Sequence, residues 1–116
     1  MKILALALTL MFAAQEAGAA CTQKHSRDNT YVELAVPDGA KRPSSVEEFK
    51  FITDETTFDE LVAKVGPPDA SYGSRTSYMI WCFADGTEIT VATKDRVAIE
   101  NVRYDGKQIF KRTKKK

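Results

Sequence analysis

Residues 57–104 constrain this chain most, because they spell a short amphipathic helix, a hard stop and a run of strands in that order. Thr57 stands three residues before Glu60, the spacing of a capping box, in which each side chain bonds the other residue's backbone N–H. Phe58, Leu61, Val62 and Val65 recur at i, i+3, i+4 and i+7 and form one apolar stripe. Asp59 and Glu60 put negative charge at the positive end of the helix dipole. Gly66 takes the position after the last turn, and Pro67 forbids continuation. A helix of about two turns does not persist alone in water, so it needs a sheet to lie on.

The sheet is expected to begin after Pro68. Residues 76–84 alternate and are rich in β-branched and aromatic side chains. Asp85-Gly86 is a hairpin signal, read as a two-residue type I′ loop. Residues 87–93 return, Lys94-Asp95-Arg96 turns the chain, and residues 97–104 form a third strand. Asp105-Gly106 makes another turn, with a short edge strand over 107–110. A two-residue loop at Asp85-Gly86 sets Cys82 opposite Ile89 and Ile80 opposite Val91. One face then carries Tyr78, Ile80, Cys82, Ile89 and Val91 and is expected to meet the helix stripe. The other carries Met79, Trp81, Phe83, Glu88, Thr90 and Ala92. Apolar parity changes between Ile99 and Val102, which predicts a bulge in the third strand. The expected fold class is α+β, with short helices on one face of an antiparallel meander of three to four strands.

The remaining chain divides into four parts. Residues 1–20 read as a secretory signal peptide: Lys2, an apolar run over 3–14 too short to span a bilayer, and Ala17-Gly18-Ala19 as an A-x-A cleavage pattern. Residues 21–43 form a polar arm with a short strand around Tyr31, Val32, Leu34 and Val36, ended by Pro37-Asp38-Gly39. Residues 44–110 are the folded module, entered through a helical turn capped by Ser44 or Ser45. Residues 111–116 are a basic tail. The chain has two cysteines, Cys21 and Cys82. Cys21 beside the cleavage site raises lipidation, although Gly18 stands where a lipobox carries Leu. Otherwise the two thiols are available to pair in an oxidising compartment, or Cys82 is a small buried apolar residue.

The segments FKFIT, TTFDELVAKVGPPD, YGS and the aromatic strand ending in ADGTEITV resemble the small bacterial envelope proteins of the SmpA/OmlA type. They also look like the repeat of the β-lactamase-inhibitor-protein fold. The resemblance covers a little over half of the chain after the leader and implies one helical layer on one sheet. It implies non-enzymatic roles, either bracing outer-membrane assembly or binding and inhibiting another protein.

The residues themselves carry no catalytic constellation. His25 is the only histidine. Its spacing to Cys21 and Asp28 matches no metal-ligand motif, and Cys82 with His25 has nothing to hold it as a nucleophile–base pair. Asp54-Glu55 and Asp59-Glu60 read as capping and solvated charges. No cofactor or metal is expected. Met79, Trp81 and Phe83, with Thr90 beside them, are the sharpest partner-binding candidates, as an exposed apolar patch around a Trp. The competing reading has the N-terminal strand or arm cover that face as a second small core. Lys111, Arg112, Lys114, Lys115 and Lys116 are candidates for an anionic lipid surface or a solvated end. Net charge is +1, and nucleic acid is not an expected partner. The expectation is an exported, periplasmic, non-catalytic protein-binding module, with an outer-membrane-assembly lipoprotein or an inhibitor of a secreted enzyme as alternatives.

Overall fold

The computed structural model describes residues 30–113. Residues 1–20, expected as a leader, and Cys21, His25, Asp28, Lys114, Lys115 and Lys116 lie outside the described residues. One antiparallel sheet of six strands runs in chain order: β1 (Val32–Glu33), β2 (Ala70–Tyr72), β3 (Thr76–Cys82), β4 (Glu88–Lys94), β5 (Ala98–Tyr104) and β6 (Lys107–Lys111). A 3-10 helix (Val46–Phe49) and α1 (Phe58–Val65) lie between β1 and β2. The class is mixed α+β, but the balance is mostly β: three to four strands understates a six-stranded sheet, and a single α-helix lies on it among the described residues. Of the two additional strands, β1 falls within the short strand expected around Tyr31, Val32, Leu34 and Val36, and β2 is three residues long, too short for an alternating pattern to register.

Helix α1 forms as its residues dictate. Thr57 N–H donates to Glu60 Oε1 at 3.0 Å, and Glu60 N–H donates to Thr57 Oγ1 at 3.2 Å. Phe58 N–H also donates to the Val97 carbonyl at 2.9 Å, which ties the start of the helix to the β4–β5 connection. Phe58, Leu61 and Val65 are buried against the sheet, where each contributes about 1.5–3 kcal/mol of transfer free energy. At the 3-10 helix it is Ser44 rather than Ser45 that bonds, its N–H and hydroxyl donating to Glu48 Oε2 at 2.7 and 3.0 Å. These bonds hold the Glu48 carboxyl below its ordinary pKa.

The register of the β3–β4 hairpin departs from expectation by one residue. Trp81 faces Ile89 and Met79 faces Val91, whereas Cys82 faces Glu88 and Ile80 faces Thr90. The loop has three residues. Gly86 N–H donates to the Phe83 carbonyl at 3.0 Å, and Phe83 N–H donates to the Thr87 carbonyl at 2.9 Å. Asp85 keeps negative φ and only Gly86, at φ +93°, enters the left-handed region, the pattern of a type I turn closed by a Gly bulge. The Asp85 carboxylate accepts from the Thr87 hydroxyl at 2.6 Å and its N–H at 3.0 Å, which fixes this turn and lowers the Asp85 pKa. Because side chains alternate with period two, the slip exchanges the faces of β3. Asp105-Gly106 does make the two-residue loop, with φ +48° and +90° between the paired Tyr104 and Lys107.

The core therefore lies between α1, the 3-10 helix and the face carrying Met79, Trp81, Phe83, Ile89, Val91, Ile99 and Val102. The Trp81 ring meets Phe49 edge-on at 5.3 Å and Phe58 at 6.4 Å, and its Nε1–H donates to the Gly66 carbonyl at 3.1 Å. The bulge in β5 lies where parity predicts it: Ala92 faces Asn101 and Thr93 faces Ile99, leaving Glu100 as the extra residue.

The β4–β5 turn holds two non-glycine residues in the left-handed region, Asp95 at φ 54° and Arg96 at φ 58°. That conformation costs an L-residue about 1–2 kcal/mol, less for Asp than for Arg. Arg96→Gly is expected to raise unfolding free energy by about 0.5–1 kcal/mol, part of the relief being offset by the freer unfolded chain. A urea midpoint that moves up with unchanged slope checks it.

Candidate functional site

The expected patch of Met79, Trp81 and Phe83 is not a surface. These side chains are 4%, 0% and 6% exposed and form the centre of the core beneath the helices. The one-residue register shift is the cause. Of the four residues expected to bind together, only Thr90 lies on the outer face, opposite Ile80 and Arg103.

Cross-strand pairing defines what the outer face does hold. Tyr72 faces Tyr78, Tyr78 faces Ala92, Ala92 faces Asn101 and Asn101 faces Lys111, one row across five strands. Tyr72 and Tyr78 stack with centroids 4.8 Å apart and planes inclined by 17°. The next row runs Ala70, Ile80, Thr90, Arg103 and Gln108. Ala70 and Ile80 are fully buried and form a second small cluster with Tyr31, Tyr72 and Cys82. The competing expectation has the N-terminal strand or arm cover Met79, Trp81 and Phe83; the helical layer covers them instead, and β1 pairs with β2 within the sheet.

The β3–β5 side of this face is concave. One groove of about 740 Å³ is lined by residues that include Arg75, Tyr78, Lys94, Glu100 and Asn101. An adjoining one of about 490 Å³ includes Tyr72, Tyr78, Glu88, Thr90, Asn101 and Arg103. Tyr78 and Asn101 belong to both, so the two are one continuous surface. Arg103 is exposed, and its guanidinium donates to the Gly106 carbonyl at 3.2 Å, which orients it over the turn. Cations (Arg75, Lys94, Arg103) and carboxylates (Glu88, Asp95, Glu100) both belong to the lining. Such a surface can form hydrogen bonds, stack an aromatic ring and pair charges of either sign.

The basic run at the C-terminus is not one unit. Lys111 is the last residue of β6 and faces the outer side opposite Asn101. Arg112 N–H donates to the Glu100 carbonyl at 2.8 Å, and Thr113 donates through its N–H and hydroxyl to the Asp54 carboxylate at 3.2 and 2.7 Å. Cys82 is disulfide-bonded. Among the described residues no three His, Cys, Asp or Glu side chains gather as a metal site, and no helix is long and apolar enough to cross a membrane.

The sequence signal for this face is apolar segregation. A three-residue loop collects Met79, Trp81, Phe83, Ile89 and Val91 on one side, whereas a two-residue loop splits them, with Met79, Trp81 and Phe83 on one face and Ile89 and Val91 on the other. Comparison with protein-family models, with curated proteins and with solved structures gives no match.

Proposed function

We propose that this protein is an exported, non-catalytic binding module of the bacterial cell envelope that engages a protein partner through the outer face of its sheet, around Tyr78, Thr90, Asn101 and Arg103. The observation that supports this reading is the continuous groove on the face opposite the helices, lined by Tyr, Arg and Asn. Tyr and Arg are the residue types that dominate binding energy at protein interfaces, and a stacked tyrosine pair offers contact area at little entropic cost. The presence of both cations and carboxylates suits a polar protein surface better than a uniformly anionic one. Export and the SmpA/OmlA-type resemblance are part of the same proposal and rest on the leader-like residues 1–20 and the helix–Gly-Pro-Pro-Asp–strand order. Lys111 adds a cation at the edge of the groove.

In-cell photo-cross-linking tests the reading. A photoreactive residue at position 90 or 101 is expected to give a discrete protein adduct, and one at position 64, exposed on the helix layer, is expected to give none. An adduct from position 64 alone, or none from 90 and 101, overturns it.

A further inference from the structure

We propose that the free edge of β6 docks an extended acidic segment of a partner protein as an additional strand, with one apolar side chain of that segment seated between Phe49, Ile52, Ile109 and Phe110. Among the described residues β6 ends the sheet, with β5 on one side of it and no strand on the other. A sheet edge presents a row of backbone N–H and C=O groups that an extended chain can pair. At five residues β6 is the longer of the two edges, and Lys107, Gln108, Ile109 and Lys111 are exposed. Beside it opens a pocket of about 420 Å³, lined by Phe49, Lys50, Ile52, Ile109 and Phe110. A bulge brings two of those apolar residues there. Val102 pairs with Phe110 and Arg103 with Gln108, so Ile109 is the extra residue. In a regular strand residues 109 and 110 point to opposite faces, whereas here both line one pocket. Ile109 stays 38% exposed at its rim.

Charge selects the occupant. The strand carries Lys107 and Lys111 and no carboxylate, and Arg112 follows it. Lys107 lies on the pocket's side of the sheet through its pairing with Tyr104, and Lys111 lies on the other side, opposite Asn101. Two carboxylates near the pocket are engaged: Asp54 accepts from the Thr113 hydroxyl at 2.7 Å, and Glu47 pairs with Lys50 at 3.4 Å. A second copy of this chain fits poorly. Antiparallel pairing centred on residue 109 sets Lys107 against Lys111 at both ends, and in-register parallel pairing sets each lysine beside its own counterpart. Like charges so placed destabilise a sheet. An acidic strand meets a lysine on each of its faces instead. Lysines and a bulge guard an edge against its own kind and leave it open to a strand of opposite charge. This inference rests neither on the outer-face groove nor on export.

The test uses the full chain and a fluorescent synthetic peptide that alternates Glu with Val and Ile. Binding by fluorescence anisotropy is expected, with amide hydrogen exchange over residues 107–111 slowed about fivefold or more at saturation. Ile109→Ala and Lys107→Glu, both at exposed side chains, are each expected to weaken binding about fivefold and to leave the circular dichroism spectrum unchanged. A peptide of equal charge with internal prolines cannot pair as a strand and is expected not to bind. Equal binding of the proline peptide, or binding without slower exchange over 107–111, overturns strand addition. Binding that survives both substitutions but is lost in Arg103→Ala overturns the edge site and keeps the outer-face groove. Failure of the acidic peptide to bind overturns the acidic occupant, and a concentration-dependent dimer with slowed exchange over 107–111 replaces it with a second copy.

Discussion

Gly66→Ala is expected to lower unfolding free energy by about 3–5 kcal/mol, the sum of a strained backbone and a displaced neighbour. Gly66 sits at φ 97° and ψ 172°, a region open essentially to glycine alone. A Cβ there would overlap the Lys41 carbonyl oxygen. That oxygen belongs to backbone, so no side-chain rotation relieves the overlap. The loop over 40–43 or the end of α1 must move, and Arg42, which pairs with Asp69 at 2.6 Å, moves with it. Gly106→Ala is the matched control. It also carries positive φ, 90°, but nothing lies within 4 Å of its added methyl, so it is expected to cost only about 1 kcal/mol. Urea denaturation followed by circular dichroism distinguishes the two. Equal losses would mean that the Lys41 contact is not what makes position 66 a glycine.

Trp81→Ala is expected to cost about 3–5 kcal/mol, the range for removing a large aromatic from a close-packed core. Trp81 is 0% exposed and contacts Phe49 and Phe58 in one aromatic cluster. Trp81→Phe separates packing from hydrogen bonding. It keeps a ring in the cluster but leaves the carbonyl of buried Gly66 without its indole donor, a loss of about 1–3 kcal/mol. Because Trp81 and Gly66 share that bond, their substitutions are expected to be non-additive when combined. The same variants separate core from surface. A buried Trp81 emits at short wavelength in the wild type, and Trp81→Phe leaves the cross-link from position 90 in place. A long-wavelength emission and loss of the cross-link without loss of stability would return Trp81 to the surface.

The helix was legible because everything that specifies it is local. The reciprocal bonds of Thr57 and Glu60, the stripe of Phe58, Leu61 and Val65, and the stop at Gly66 all act within about ten residues of chain. The second Asp-Gly turn and the bulge near Glu100 were legible for the same reason: positive φ and apolar parity are properties of neighbouring residues. The first Asp-Gly turn was not. The same dipeptide serves both a two-residue loop and a three-residue loop closed by a bulge. At Asp85-Gly86 the choice is decided by which register gathers Trp81, Phe83 and Ile89 on the side that α1 covers. A local motif names a turn without naming its length, and a one-residue difference in length exchanges core for surface.

The sequence by itself therefore determined that residues 57–104 build a capped helix, a Gly-Pro stop and antiparallel strands, because backbone capping and side-chain periodicity are written within each segment. Only the tertiary structure decided that Met79, Trp81 and Phe83 lie inside, that Tyr72 and Tyr78 stack on the outer face, and that Ala70 and Ile80 are buried there. Those outcomes depend on pairing between segments far apart in the chain. The winning register is the one that removes the most apolar area from water while keeping every strand hydrogen-bonded to its neighbour.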